Sequence, residues 1–241
     1  MYTKKKPLLL AHRGYTKKFQ ENTYEAFFES LFYTRIDGIE LDVCQTADKQ
    51  LVCFHDINLK RLFDIDKNIN QIEFKDLKDL PIKKELLYGK NLISYKYNTK
   101  IVLFTRLLNM FKYQKKIINI ELKIEEDDKE FVNNVINEIK IRNMENKVIL
   151  TSFNHKLLEY IDKEQFKIGS INDYEICQND INKMNLQYPI IILDKRTDKE
   201  VLKNLREMNK IIGIYTLNSY NDNLLDNFNN YDVDYLIFDR L

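Results

Sequence analysis

Short runs of apolar residues alternate along this chain with longer segments in which apolar residues recur every three or four positions. The short runs are rich in Ile, Val and Leu and have the length of buried strands, whereas the longer segments have the period of amphipathic helices. The pattern predicts eight strands, at residues 7–11, 38–43, 117–122, 148–151, 166–169, 188–193, 211–215 and 234–238.

Helical segments separate most of these strands. They are predicted at residues 22–33, 100–113, 129–142, 155–161, 173–184, 198–208 and 219–228. Strands that alternate with crossover helices are typical of a parallel sheet, and eight such strands in a chain of 241 residues match an α/β fold, the (β/α)₈ TIM barrel. Because no cluster of Pro, Gly or Ser marks a linker, we expect one domain over residues 1–241.

A ninth apolar run, at residues 51–54, follows the second strand too closely for a crossover helix, so it must return as an antiparallel hairpin. A turn centred on Asp48 and Lys49 would place His55 opposite Asp42. The polar stretch 57–99, with a short amphipathic piece at 74–80, is predicted to be an insertion over the barrel mouth, where it could select substrates.

Charge and length exclude several classes of protein. The 38 Lys and Arg nearly balance the 37 Asp and Glu, so the net charge of +1 gives no field for nucleic acid. No apolar stretch approaches the ~18 residues of a membrane span, and the basic N-terminus is followed by only a short apolar run. We therefore expect a cytoplasmic protein without stable membrane association. We also expect ordinary reduced thiols at Cys44, Cys53 and Cys177. The sequence leaves the oligomeric state open.

Polar residues stand at the carboxyl ends of the predicted strands, where TIM barrels carry their active sites. Glu40 and Asp42 are two apart on one strand and therefore share a face, and Glu121 ends the neighbouring strand. Three hard carboxylate oxygens suit Mg²⁺ or Ca²⁺. The alternative is a structural ion-pair network in which Lys123, Arg13 or Lys100 neutralises the carboxylates.

Two of the three histidines, His12 and His55, adjoin this predicted cluster. Such a pair can remove a proton from a nucleophile and deliver one to a leaving alkoxide, although a lone histidine beside a strand is more often a core group. His155, at a helix start, is expected to be a capping or surface residue. Arg13 and Lys123 add positive charge that an anionic phosphodiester would require, unless Arg13 forms an ion pair at the rim.

With these residues in order, the chain resembles the glycerophosphodiester phosphodiesterase family. The family pattern of HRG, a PENT-like element, ExDV, HD, ExK, SF and aromatic-TxN is followed along nearly the whole chain, at residues 12–14, 21–23, 40–43, 55–56, 121–123, 152–153 and 215–218. The resemblance implies a TIM barrel, a divalent cation, and hydrolysis of small-molecule glycerophosphodiesters to sn-glycerol 3-phosphate and an alcohol.

The same resemblance implies roles for individual residues. Glu40, Asp42 and Glu121 would be the metal ligands. His12 and His55 would be the acid–base pair. We assign His12 as the base and His55 as the acid, although the sequence does not fix that order. Arg13 and Lys123 would contact the phosphate. The nucleophile is either water or the neighbouring substrate hydroxyl, which would give a cyclic phosphate first.

The chain departs from the family pattern at several positions. Gln20 replaces a proline, Lys49 replaces the glycine of the hairpin turn, Tyr215 replaces a tryptophan, and Phe238 replaces a threonine. Tyr215 is expected to bind substrate and, with Phe238, to reshape the pocket for the glycerol or alcohol moiety. Two other functions remain open: a lysophospholipase D or other lipid phosphodiesterase, and a catalytically silent barrel that binds phosphate ligands.

Overall fold

The computed structural model describes residues 6–88, 90–124, 127–173, 181, 184–217 and 232–239. Its strands are β1 (Leu8–His12), β2 (Gly38–Gln45), β3 (Leu51–Cys53), β4 (Glu85–Tyr88), β5 (Asn91–Ser94), β6 (Val102–Leu103), β7 (Ile117–Leu122), β8 (Val148–Ser152), β9 (Lys167–Asn172), β10 (Ile190–Asp194), β11 (Ile211–Leu217) and β12 (Tyr235–Phe238). Its α-helices are α1 (Tyr24–Phe32), α2 (Lys60–Phe63), α3 (Phe74–Leu77), α4 (Phe104–Phe111), α5 (Lys129–Ile141), α6 (His155–Leu158) and α7 (Lys199–Glu207).

Eight strands form a closed parallel barrel in the order β1, β2, β7, β8, β9, β10, β11 and β12. Each pairs in parallel with the next, and β12 returns to β1 with Leu8 opposite Tyr235. All eight predicted strands are thereby confirmed, and so is the TIM-barrel fold. Their carboxyl ends meet at one mouth, where catalytic side chains of such barrels lie.

The alternation of side chains along β2 decides what faces the barrel interior. Ile39, Leu41 and Val43 are fully buried in the apolar layer between the barrel and its helices. Because successive strand residues point to opposite faces, the intervening Glu40 and Asp42 point into the barrel. Two acidic residues therefore occupy the interior near the mouth.

The helices follow the predicted segments with shifted ends. Helix α1 begins after Thr23, whose hydroxyl accepts a hydrogen bond from Ala26 N at 3.3 Å. Helix α4 begins at Phe104 rather than at residue 100, because Val102 and Leu103 first pair with β3. The predicted helix 219–228 and nearly all of the predicted helix 173–184 lie outside the described residues.

The observed register of the β2–β3 hairpin differs by one residue from the predicted register, which was wrong. Val43 pairs with Cys53, and Phe54 N donates to Asp42 O at 3.2 Å, so Phe54 rather than His55 lies opposite Asp42. The turn has three residues, not two, and its last residue, Lys49, is left-handed with φ 61°. His55 therefore lies one position beyond the residue that faces Asp42.

The segment between β3 and β6 contains α2, α3, two-stranded sheet β4–β5 and a short 3₁₀ helix. Its apolar side chains, including Leu62, Leu77 and Leu86, form a separate buried cluster against β3. Gln20 Nε2 ties this segment to the loop after β1 by donating to Lys83 O at 3.3 Å and Tyr97 O at 3.1 Å. Within the described ranges, no helix has the length and apolar character needed to span a bilayer.

Candidate active site

The loop after β1 turns sharply across the barrel mouth. Arg13 and Gly14 are both left-handed, with φ 56° and 87°, and Asn22 N donates to Arg13 O at 2.9 Å. A Cβ on Gly14 would lie 2.8 Å from the backbone carbon of Ala26, so only glycine fits between this turn and α1. This conformation holds the Arg13 side chain at the mouth.

Glu40, Asp42 and Glu121 meet inside the barrel. Asp42 lies opposite Glu121 in the β2–β7 register, and one oxygen from each of the three carboxylates lies within 4.8 Å of the others. Their exposed fractions are only 3%, 0% and 8%. The predicted carboxylate cluster therefore exists and is shielded from bulk water.

Burial and the neighbouring charges give these three carboxylates different pKa values. Burial and the Asp42 charge raise the pKa of Glu40 to about 8. The same two causes raise the pKa of Glu121. Burial would also raise the pKa of Asp42, but the charge of Arg13, followed by those of His55 and Lys123, holds it at about 2. Ionising all three requires additional positive charge.

The donor set fits a hard divalent cation. Asn22 Nδ2 donates to Asp42 Oδ2 at 2.7 Å and Arg13 Nε lies 3.1 Å from the same oxygen. Asp42 Oδ1, in contrast, is buried and has no hydrogen-bond partner within the described ranges. A buried acceptor without a partner is costly unless a ligand satisfies it. Oxygen-only donors suit Mg²⁺ or Ca²⁺ better than zinc.

An aspartate holds each histidine of the site by its Nδ1. His12 Nδ1 hydrogen-bonds Asp239 Oδ1, and His55 Nδ1 lies 2.7 Å from Asp56 Oδ1. Burial, the largest single influence, lowers the pKa of His12, but the charges of Asp239 and Glu40 and the hydrogen bond to Asp239 together raise it above its ordinary value. With Nδ1 occupied, Nε2 is the nitrogen that remains for proton transfer in each ring.

Arg61 links the insertion to this site. Its guanidinium donates to both oxygens of Glu21 at 2.7 and 2.8 Å and to both oxygens of Asp56 at 2.6 and 3.0 Å. Glu21 is fully buried and also accepts from Arg13 Nη1 at 2.7 Å. The chain of contacts thus runs from Arg13 through Glu21 and Arg61 to Asp56 and His55.

Two adjoining cavities open at the barrel mouth. The inner one, of about 210 Å³, is lined by six of the predicted site residues: His12, Arg13, Glu40, His55, Glu121 and Tyr215. The outer one, of about 590 Å³, is lined in part by Lys123, and the two share His55, Glu121 and Phe153. The Phe153 ring packs edge-on against Tyr215 and lies under the Lys123 ammonium at 5.4 Å.

The structure assigns different places to the cations that were expected to neutralise the carboxylates. Arg13 pairs with buried Glu21 and Asp42, so the interpretation of Arg13 as a rim ion pair is wrong. Lys123 pairs with Glu121 at 2.7 Å, whereas Lys100 pairs with exposed Asp79, away from the cluster.

Several residues of the site were not predicted, among them Asp239, Arg61 and Asn119. Arg61 lies in the polar stretch 57–99, and its contacts cross 40 positions of sequence to Glu21. Asn119 is 1% exposed and lines the inner cavity, and no described residue hydrogen-bonds its Nδ2. The spacing of Asn119 two residues before Glu121, on the same strand face, could have revealed it.

A parallel barrel with an acidic cluster, two oriented histidines and buried arginine at its mouth defines a class of enzyme, the TIM-barrel phosphodiester hydrolases. The model of the glycerophosphoryl diester phosphodiesterase family matches residues 12–241. The chain belongs to this family and is a phosphoric diester hydrolase.

Individual relatives agree with this assignment. The chain is 31% identical over 174 residues to a glycerophosphodiester phosphodiesterase of Caldanaerobacter subterraneus, covering 68% of this chain and 66% of that protein. The crystal structure of a Thermotoga maritima glycerophosphodiester phosphodiesterase matches with a TM-score of 0.74 and 27% identity over 97% of this chain and 95% of that one. An Oleispira antarctica phosphodiesterase in complex with the product sn-glycerol-3-phosphate has the same fold, with a TM-score of 0.76, 19% identity and coverage of 97% and 93%.

Proposed function

We propose that the protein hydrolyses glycerophosphodiesters to sn-glycerol 3-phosphate and an alcohol, with a divalent cation and with His12 and His55 as the acid–base pair. The observation that carries this proposal is the shared cavity: both imidazoles line it together with Glu40 and Glu121. Such an enzyme would act in glycerol and lipid metabolism.

Glu40, Asp42 and Glu121 would hold the cation. When bound, Mg²⁺ or Ca²⁺ supplies positive charge that offsets the crowded carboxylates and the charge that builds on the phosphoryl oxygens. Asp42 Oδ1 supports this role, because this buried acceptor has no hydrogen-bond partner in the part of the chain that the structure describes.

His12 is proposed to take the proton of the attacking hydroxyl, and His55 to give one to the leaving alcohol. What supports this order is the arrangement of the cavities, because His55 lines both of them whereas His12 lines only the inner one. The small inner cavity suits the constant glycerol phosphate moiety, and the larger outer cavity suits an alcohol of variable size. His55 then stands beside the leaving oxygen.

Arg13, Lys123 and Tyr215 are proposed to bind substrate. Arg13 presents a guanidinium held rigidly by two carboxylates, which is suited to recognition of phosphoryl oxygens. The Lys123 ammonium lies at the wall of the outer cavity and would offset negative charge there. Tyr215 lines the inner cavity, and its hydroxyl donates to Asn172 O at 3.1 Å, which fixes the ring.

A cytoplasmic location is part of the proposal. What supports it is that Cys44 and Cys53 lie on neighbouring strands as free, buried thiols. Such thiols are usual in reducing compartments.

The test is release of glycerol 3-phosphate from glycerophosphocholine and glycerophosphoethanolamine by purified protein, with Mg²⁺, with Ca²⁺ and with EDTA. We expect metal-dependent release that is lost in Glu40→Ala, His12→Ala and His55→Ala. His155→Gln is the matched control, because this third histidine lines neither cavity and its Nε2 bonds Ile171 O.

The same assay distinguishes the proposed function from the two alternatives, a lysophospholipase D and a barrel that only binds phosphate ligands. Faster turnover of a lysolipid than of glycerophosphocholine would make the protein a lysophospholipase D. Absence of turnover of any diester or lysolipid with either metal would contradict the proposal and favour a barrel that only binds phosphate ligands.

A further inference from the structure

The outer face of the β4–β5 hairpin is apolar at its tip. Leu87 and Leu92 lie directly opposite each other and are 56% and 64% exposed. The other face is buried through Leu86, which packs into the core of the insertion with Ile93 beside it. A two-stranded sheet with one covered face normally carries polar residues on its open face. A cross-strand pair of exposed leucines therefore indicates a surface that binds a partner.

Positive charge surrounds this leucine pair. Residues 83–100 contain five lysines and only one acidic residue, Glu85. Lys83 and Lys100 form ion pairs with Asp64 and Asp79. The other three lysines, Lys84, Lys90 and Lys96, are exposed and have no carboxylate partner among the described residues.

The hairpin stands on the rim of the barrel mouth. The Tyr88 ring lies 5.6 Å from the Arg61 guanidinium, and Tyr95 Oη donates to Thr16 O at 3.0 Å. Phe19, in the same loop after β1, contacts Tyr97 with ring centroids 5.1 Å apart. These contacts fix the hairpin to the loop that carries Arg13, so its tip and the cavity opening belong to the same end of the barrel.

We propose that the β4–β5 hairpin docks the protein on an anionic lipid bilayer surface. The charge around the tip selects this partner, because lysines attract anionic headgroups while two adjacent leucines can enter the boundary between headgroups and acyl chains. The contact is peripheral, reversible and sensitive to salt, since it involves only a small apolar tip and no spanning helix. The barrel mouth then faces the membrane, where lipid breakdown supplies diesters.

The test is co-sedimentation of the full-length protein with vesicles of phosphatidylcholine alone or mixed with phosphatidylglycerol. We expect the bound fraction to be several-fold higher on the anionic vesicles and to fall at high salt. The double variant Leu87→Ser, Leu92→Ser and the triple variant Lys84→Gln, Lys90→Gln, Lys96→Gln should each lose most of this binding. Phe32→Ser is the matched control, because Phe32 is 67% exposed on α1 and lies outside the hairpin.

Cooperative thermal unfolding near the wild-type temperature shows that the variants are folded, and none of these positions lines either cavity. Equal binding to neutral and anionic vesicles, or unchanged binding of the Leu87→Ser, Leu92→Ser variant, would overturn the lipid proposal. Sedimentation without vesicles that disappears in the leucine variant would overturn it in favour of self-association. None of these results depends on which diester the enzyme cleaves, so failure here leaves the proposed function intact.

Discussion

His12 and Asp239 are 227 positions apart in the sequence, yet Nδ1 of the histidine hydrogen-bonds the carboxylate of the aspartate. The parallel pairing of β1 with β12, which closes the barrel, brings them together. His55 receives the same kind of support from its immediate neighbour, Asp56. One imidazole of the proposed acid–base pair is therefore oriented by closure of the fold, and the other by local sequence.

The first prediction concerns Asp239→Asn. The Asp239 charge raises the pKa of His12, so its loss should lower that pKa and move the acid limb of the kcat/KM profile to lower pH. The maximal rate should also fall, because the imidazole loses the acceptor that fixes its orientation. The measurement is a pH–rate profile of wild type and variant. Asp194→Asn is the control, since Asp194 ends the barrel strand β10 but pairs with Arg196. An unshifted acid limb would contradict the role of Asp239.

The second prediction concerns Arg61, which we regard as a positioning residue. Arg61→Lys keeps the charge but cannot fork onto Glu21 and Asp56 together, so kcat should fall by roughly 10–100-fold while KM changes little. Lys60→Ala is the neighbouring control, because Lys60 is exposed and its one ion pair within the described residues is with exposed Asp64. Steady-state kinetics and thermal unfolding of both variants check this. A rise in KM with kcat unchanged would instead indicate that Arg61 contributes to substrate binding.

The third prediction concerns the buried amide of Asn119. Asn119 lines the inner cavity and its Nδ2 has no hydrogen-bond partner among the described residues, so we expect it to donate to bound substrate. Asn119→Leu should lower kcat/KM by about 5–150-fold, the equivalent of about 1–3 kcal/mol for one lost buried hydrogen bond. Unfolding should show little change in stability, because the variant removes the unsatisfied Nδ2 donor and also the Oδ1 acceptor of Thr151 Oγ1, whose hydroxyl keeps Ile120 O at 3.3 Å. Loss of stability together with unchanged activity would show that Asn119 is structural.

The fourth prediction concerns the carboxylate cluster without metal. The pKa of Glu40 is raised from its ordinary value of 4.5 to about 8. Its favourable contribution to folding is therefore fully present below about pH 4.5 and is lost as pH rises through about 8. In EDTA, wild-type stability should decline over this interval, and Glu40→Gln should decline less. Saturating Mg²⁺ or Ca²⁺ should restore the wild type but not the variant.

Denaturant unfolding across this pH range, with and without metal, measures the fourth prediction. Calorimetric titration measures the binding of Mg²⁺ or Ca²⁺, and Glu40→Gln should lose most of the affinity for the metal. Equal affinity in the variant and the wild type would support the alternative, in which the three carboxylates form only a structural network.

Local pattern was enough for the barrel strands and for most of the site. The strand ends at His12, Glu40, Asp42 and Glu121 could be located because strand residues alternate between two faces and barrel sites lie at carboxyl ends. The hairpin register failed because loop length depends on whether one residue adopts the left-handed conformation. Lys49 adopts this conformation, which a lysine side chain does not predict.

The sequence by itself determined the fold, the family and the chemical types gathered at the mouth, because apolar period and ordered motifs are local properties of the chain. Only the tertiary structure decided how those groups are paired. Arg13 is held by buried Glu21, Arg61 reaches back from the insertion to Glu21, and Asn119 Nδ2 has no hydrogen-bond partner among the described residues. These relationships depend on side-chain distances across strands and loops far apart in sequence, and packing alone sets those distances.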